Sequence, residues 1–113
     1  MLRELAGRGY ALAMASNYDG RLRRVVAGRP ELRPLGHLVI SSEVSWRKPA
    51  PALFAALCRS LGQAADQVLH VGDDQANDYD GARAAGLHAL LLDPDGEAPA
   101  GVARVGQLRE LLA

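Results

Sequence analysis

The spacing of hydrophobic positions changes repeatedly along the chain. Leu2 and Leu5 begin an amphipathic helix that stops at Gly7 and Gly9. The apolar run from Tyr10 to Ala15 predicts a buried strand. Asp19 to Gly28 reads as a helix, with Leu22, Val25 and Val26 on one side and Gly28 at its end. Leu38, Val39 and Ile40 give a second strand. Pro49 and Pro51 open the next helix, since proline is tolerated in a first turn, and Gly62 closes it. Its apolar face carries Leu53, Phe54, Leu57 and Leu61. A third strand spans Val68 to Val71, a helix follows to near Gly86, and Ala89 to Leu92 forms a fourth strand. A last helix carries Val105, Leu108, Leu111 and Leu112.

Strict alternation of near-continuous apolar strands with amphipathic helices predicts an α/β fold. The expected architecture is a parallel, Rossmann-like sheet covered on both faces, in three α/β/α layers. At 113 residues the chain accommodates one domain. The 13 basic and 13 acidic residues cancel, which argues against a bulk nucleic-acid or anionic-membrane binder. A single cysteine, Cys58, excludes a disulfide framework and a multi-cysteine zinc site. No apolar run reaches the length of a membrane span or a signal-peptide core, so a cytoplasmic location is expected.

In parallel α/β sheets, ligands bind at the carboxyl ends of the strands. Ser16 and Asn17 follow the first predicted strand, and Ser41 and Ser42 follow the second. Gly72, Asp73 and Asp74 follow the third, with Asp78 in the next turn, and Asp93 follows the fourth. Ser16 and Asn17 could hold phosphate oxygens or simply cap the following helix. Asp73, Asp74 and Asp78 repel one another unless a cation, a lysine or helix-terminal amides offset them. Asp74 suits the helix cap, whereas Asp73 and Asp78 suit a hard cation such as magnesium.

Lys48 is the sole lysine, against twelve arginines, and lies at the entrance to a helix. An ammonium there can neutralise both the aspartates and an anionic substrate, although a surface position is the commoner fate of lysine. His37, His70 and His88 are too scattered for a metal site and read as satisfied, partly buried histidines. Tyr18 and Trp46 could line a pocket or serve in packing. No glycine-rich nucleotide loop is present.

The ordered set Ser16-Asn17, Arg47-Lys48-Pro49 and Gly72-Asp73 with Asp78 resembles the haloacid dehalogenase-like (HAD) hydrolase superfamily, over residues 1 to about 95. The three groups are similar to that family's second, third and fourth motifs, in order and at strand ends. The resemblance implies that Ser16 binds a transferred phosphoryl group with Asn17 beside it, and that Lys48 stabilises the phosphoryl and nucleophile charge. It further implies that Asp73 ligates magnesium, while Asp78 ligates it through water or orients Lys48. An aspartate at position 73 is more like the family's magnesium-dependent phosphatases than its metal-free dehalogenases.

The family's first motif, Asp-x-Asp, supplies the nucleophile and general acid. It does not occur before Ser16. The chain therefore resembles the second half of a family member, a single partial core domain over residues 1–113, with the central strand and cap absent. The expected activity is hydrolysis of a small phosphate ester through a phosphoaspartate, with the chain inactive alone. Exposed sheet edges would favour a homo-oligomer. The alternatives are a non-catalytic phosphate- or metal-binding remnant of the same fold, and a receiver-like domain. The latter places its acidic pair first in the chain, whereas here it comes third.

Overall fold

The structure, a computed structural model, describes residues 2–17 and 21–112. In chain order the helices are α1 (Leu2–Gly7), α2 (Arg21–Ala27), α3 (Ser41–Val44), α4 (Pro51–Leu61) and α5 (Gly81–Ala84). The strands are β1 (Ala13–Ser16), β2 (His37–Ile40), β3 (Leu69–Gly72), β4 (His88–Leu92) and β5 (Arg104–Val105). A π-helical turn, Gln75–Asp80, leads directly into α5. The fold is α/β, as the alternating pattern predicts.

The strands pair in parallel but form two sheets. β1 pairs with β2, with Ser16 opposite Ile40. β3 pairs with β4, with Gly72 opposite Leu91, and β4 pairs with β5. β1 and β3, the strands expected to flank a central one, lie in different sheets, and among the described residues each keeps an open edge. The sheet is thus incomplete, with the break where the central strand belongs.

Helix α4 holds the halves together. Pro51 sits in its first turn, and Gly62 ends it at φ 66°, a left-handed conformation suited to glycine. Leu53, Phe54 and Leu57 are buried along one face, as the 3.6-residue spacing predicts. They join Val39 of β2 and Val68, Ala82 and Leu87 from around the other sheet in one cluster. Full burial of Phe54 contributes about 3 kcal/mol by area.

Several boundaries differ from the sequence expectation. β1 begins at Ala13, and Tyr10 is exposed. Ser41 and Ser42 belong to a short helix, α3. Val105 is not helical: its carbonyl accepts from the Asp93 N–H at 2.8 Å, which draws residues 104–105 onto β4 as a fifth strand. Only Leu108–Leu112 turn beyond it, as a 3-10 helix. The helix expected from Asp19 is found over Arg21–Ala27, and Tyr18 and Asp19 lie outside the described residues. Among the described residues no helix is long and apolar enough to cross a membrane.

Candidate active site

The carboxyl ends of β1 and β3 are joined by a polar chain through the loop before α4. Asn17, immediately after β1, accepts the Lys48 main-chain N–H on Oδ1 at 2.8 Å. Its Nδ2 donates to the Lys48 carbonyl at 3.2 Å. The Lys48 ammonium in turn donates to Asp78 Oδ1 at 2.6 Å. Lys48 and Asp78 are both largely shielded, with side chains 13% and 5% exposed. The expected surface fate of a lysine does not apply here. Ser16, at the last position of β1, is half-buried beside Asn17.

Asp78 is held from three sides. His70 Nε2 lies 3.0 Å from the same Oδ1, and the Asp74 N–H donates to Oδ2 at 3.1 Å. An ionised carboxylate only accepts, so the hydrogen of the His70 contact resides on Nε2. Burial alone would raise the Asp78 carboxyl. The hydrogen bonds from His70, Lys48 and the Asp74 N–H, with the Lys48 charge, outweigh burial and hold it well below the usual carboxylate range. His70 itself rests edge-on against Phe54, with ring centroids 5.3 Å apart. The site is therefore braced directly by the core.

Local backbone explains how these groups meet. Successive strand residues alternate faces, so His70 and Gly72 share one face of β3. Gly72 has no side chain, and the Asp78 carboxylate fills the space a Cβ would take. The π-helical turn brings Asp78 back over the strand end, with its N–H bonded to the Asp74 carbonyl at 2.8 Å. Asp74 Oδ1 caps that turn by accepting from the Asn77 N–H, the capping role expected of it.

The remaining sequence candidates separate from this cluster. Asp73 is exposed, and its carboxylate makes no hydrogen bond among the described residues. Asp93 is buried and accepts the N–H groups of Glu97 and Ala98, which tie down the loop after β4. His37 bonds Ser60 and is partly buried, as expected, whereas His88 bonds the Asp66 carbonyl but is exposed, so it is satisfied without the burial expected of it. Trp46, two residues before Lys48 in the chain, is 56% exposed, which excludes a core-packing role. His70 is satisfied too, but its place behind Asp78 was not read from the sequence. The signal available was its position two residues before Gly72.

Among the described residues no group of three or more His, Cys, Asp or Glu side chains converges as a metal cage. Magnesium does not need one: it takes one or two carboxylates, with water and phosphate oxygens completing the octahedron. Asp73 offers a free carboxylate of this kind. Asp78 has both oxygens engaged. The donor set fits magnesium through one carboxylate rather than a complete shell.

Comparison with known proteins identifies the family. A family model described as haloacid dehalogenase-like hydrolase matches residues 1–86. The human haloacid dehalogenase-like hydrolase domain-containing protein 3 is 35% identical over 91 residues, covering 80% of this chain and 36% of its own length. A phosphoserine phosphatase of Thermus thermophilus is 35% identical over 115 residues, covering 97% of this chain and 46% of its own. The crystal structure of a HAD phosphatase from Thermococcus onnurineus superposes with a TM-score of 0.89 at 23% identity, covering 99% of this chain and 54% of that one. This last likeness concerns the fold. The chain thus spans between about a third and half of the length of the two curated relatives named. With the family model matching three-quarters of its length and the strand-end residues in family order, the chain belongs to the haloacid dehalogenase-like hydrolases.

Proposed function

We propose that residues 1–113 form a partial core domain carrying the phosphoryl-binding side of a magnesium-dependent phosphatase site, in a cytoplasmic enzyme acting on a small phosphate ester. The observation that carries this reading is the shielded Lys48–Asp78 pair at the rim between β1 and β3. A shielded ammonium at a strand end, beside a serine hydroxyl, suits a tetrahedral oxyanion. The phosphatase named among the relatives supports the same substrate class.

In this reading the Ser16 hydroxyl donates to one phosphoryl oxygen, and the Lys48 ammonium offsets charge on another as the phosphoryl group transfers. Asp78 orients Lys48, because its oxygens already serve that ammonium, His70 and the Asp74 N–H. Asp73 would hold magnesium, which when bound adds charge neutralisation at the phosphate oxygens. The attacking aspartate belongs on a strand seated between β1 and β3, where both edges are open.

The test is to join this sequence to a strand ending in Asp-x-Asp and a cap segment, then assay a broad panel of phosphate monoesters. Hydrolysis that requires magnesium and stops on chelation supports the assignment. No hydrolysis of any ester by the joined protein refutes it. Full-rate hydrolysis by the 113-residue chain alone also refutes it, since the nucleophile would then lie elsewhere.

A further inference from the structure

We propose that Asn17 is a positioning residue: its side chain fixes the main chain of Lys48 at the rim and does not contact the phosphoryl group. The inference rests on the reading of Lys48 as the partner of phosphoryl charge, and revises the expectation that the Asn17 side chain lies beside that group.

A carboxamide has one accepting and one donating end. In Asn17 both are spent on one residue 31 positions away, Oδ1 on the Lys48 N–H and Nδ2 on the Lys48 carbonyl. Only one orientation of the amide satisfies both partners, because the N–H must meet oxygen and the carbonyl must meet nitrogen. This reciprocal pair is what a neighbouring strand would offer, supplied instead by a side chain. It is needed because Lys48 lies in the turn before α4, outside any helix or strand.

A lysine at the end of a free loop would carry its ammonium wherever the loop moved. Here the main chain is held by Asn17 and the ammonium by Asp78, so the flexible stem is pinned at both ends. Asn17 follows β1 and Asp78 lies in the turn after β3, strands of different sheets, so Lys48 registers one half of the site against the other. A misplacement of an angstrom can cost about a hundredfold in rate, which gives the clamp its purpose.

Lys48 is the sole lysine, so protein labelled with [15N]lysine shows one lysine main-chain amide signal. That N–H is the one donated to Asn17. In the unmodified chain the signal should lie downfield and exchange at least about tenfold more slowly than an unstructured amide. Asn17→Ala should move it upfield and remove the protection. Asn17→Asp keeps the acceptor for the Lys48 N–H but sets a second carboxylate oxygen against the Lys48 carbonyl, so the downfield shift should persist while part of the protection is lost. Titration with inorganic phosphate forms the second arm. Asn17→Ala should leave the phosphate contact of a [15N]serine-labelled Ser16 detectable, whereas Lys48→Ala should abolish it.

Rapid exchange of the Lys48 amide in the unmodified chain would overturn the proposal without any variant having to fold. So would an unchanged Lys48 signal in Asn17→Ala together with lost phosphate binding, which would make Asn17 a direct ligand. Phosphate binding indifferent to Lys48→Ala would instead refute the role of Lys48 while leaving the clamp itself measured.

Discussion

The Asp78 carboxylate occupies the space that a side chain on Gly72 would need. The last residue of β3 is thereby required to be glycine for the sake of a residue six positions later. Gly72→Ala should drive the carboxylate away from Lys48 and His70. Overpacking of this kind costs about 1–3 kcal/mol, to be read from chemical denaturation. A change below about 0.5 kcal/mol, the usual scale of a neutral surface substitution, would show that the carboxylate is not fixed there.

Gly81 plays a similar part for the loop of Lys48. A Cβ on Gly81 would lie 2.7 Å from Pro49 Cβ and 3.2 Å from Phe54 Cε2, both on rigid rings. Alanine should gain about 1 kcal/mol in helix propensity and lose about 1–3 kcal/mol to overlap, so the clash is expected to win. The [15N]lysine signal of Gly81→Ala should shift as Pro49 is displaced. An unshifted signal with raised stability would contradict this packing.

Asp78 also sets an acid limit. Its folded carboxyl is held below the ordinary value of 3.8, so the unfolded chain takes up a proton first as pH falls. Stability from this group is complete above about pH 5 and declines through pH 4 and below. Asp93 is shifted the same way by the Ala98 and Glu97 N–H groups and acts in the same window. Asp78→Asn should cost about 3 kcal/mol at neutral pH by leaving Lys48 unpaired. The gap to the unmodified chain should narrow as pH falls. Denaturant midpoints between pH 3 and 7 that stay parallel would refute the linkage.

The open edges of β1 and β3 predict association. Unpaired N–H and C=O groups on an apolar strand recruit further strands. Light scattering of the 113-residue chain should show oligomers that dissociate when an Asp-x-Asp strand is joined to it. A stable monomer with cooperative unfolding at an ordinary midpoint would count against the open edges.

The α/β class, α4 and the strand-end residues were legible because they rest on local patterns: Pro51, Gly62 and the apolar stripe between them, and polar residues after apolar runs. Two features were not. Val105 became a strand through a long-range bond with Asp93, which no local periodicity encodes. The service of Asn17 to Lys48 and of His70 to Asp78 depends on which residues the fold brings together across 31 and eight positions. The resemblance supplied roles for Ser16, Lys48, Asp73 and Asp78. The geometry adds that Asp78 is already committed to Lys48.

The proposed function rests on Lys48 offsetting phosphoryl charge at the rim. Its most direct test is the turnover of Lys48→Ala against an aryl phosphate, measured with magnesium in the protein joined to its Asp-x-Asp strand and cap. Removing one electrostatic stabiliser typically lowers turnover by about 10²–10³, and a loss on that scale is predicted. Turnover within about threefold of the unmodified enzyme, in a variant that still folds, would contradict that role of Lys48.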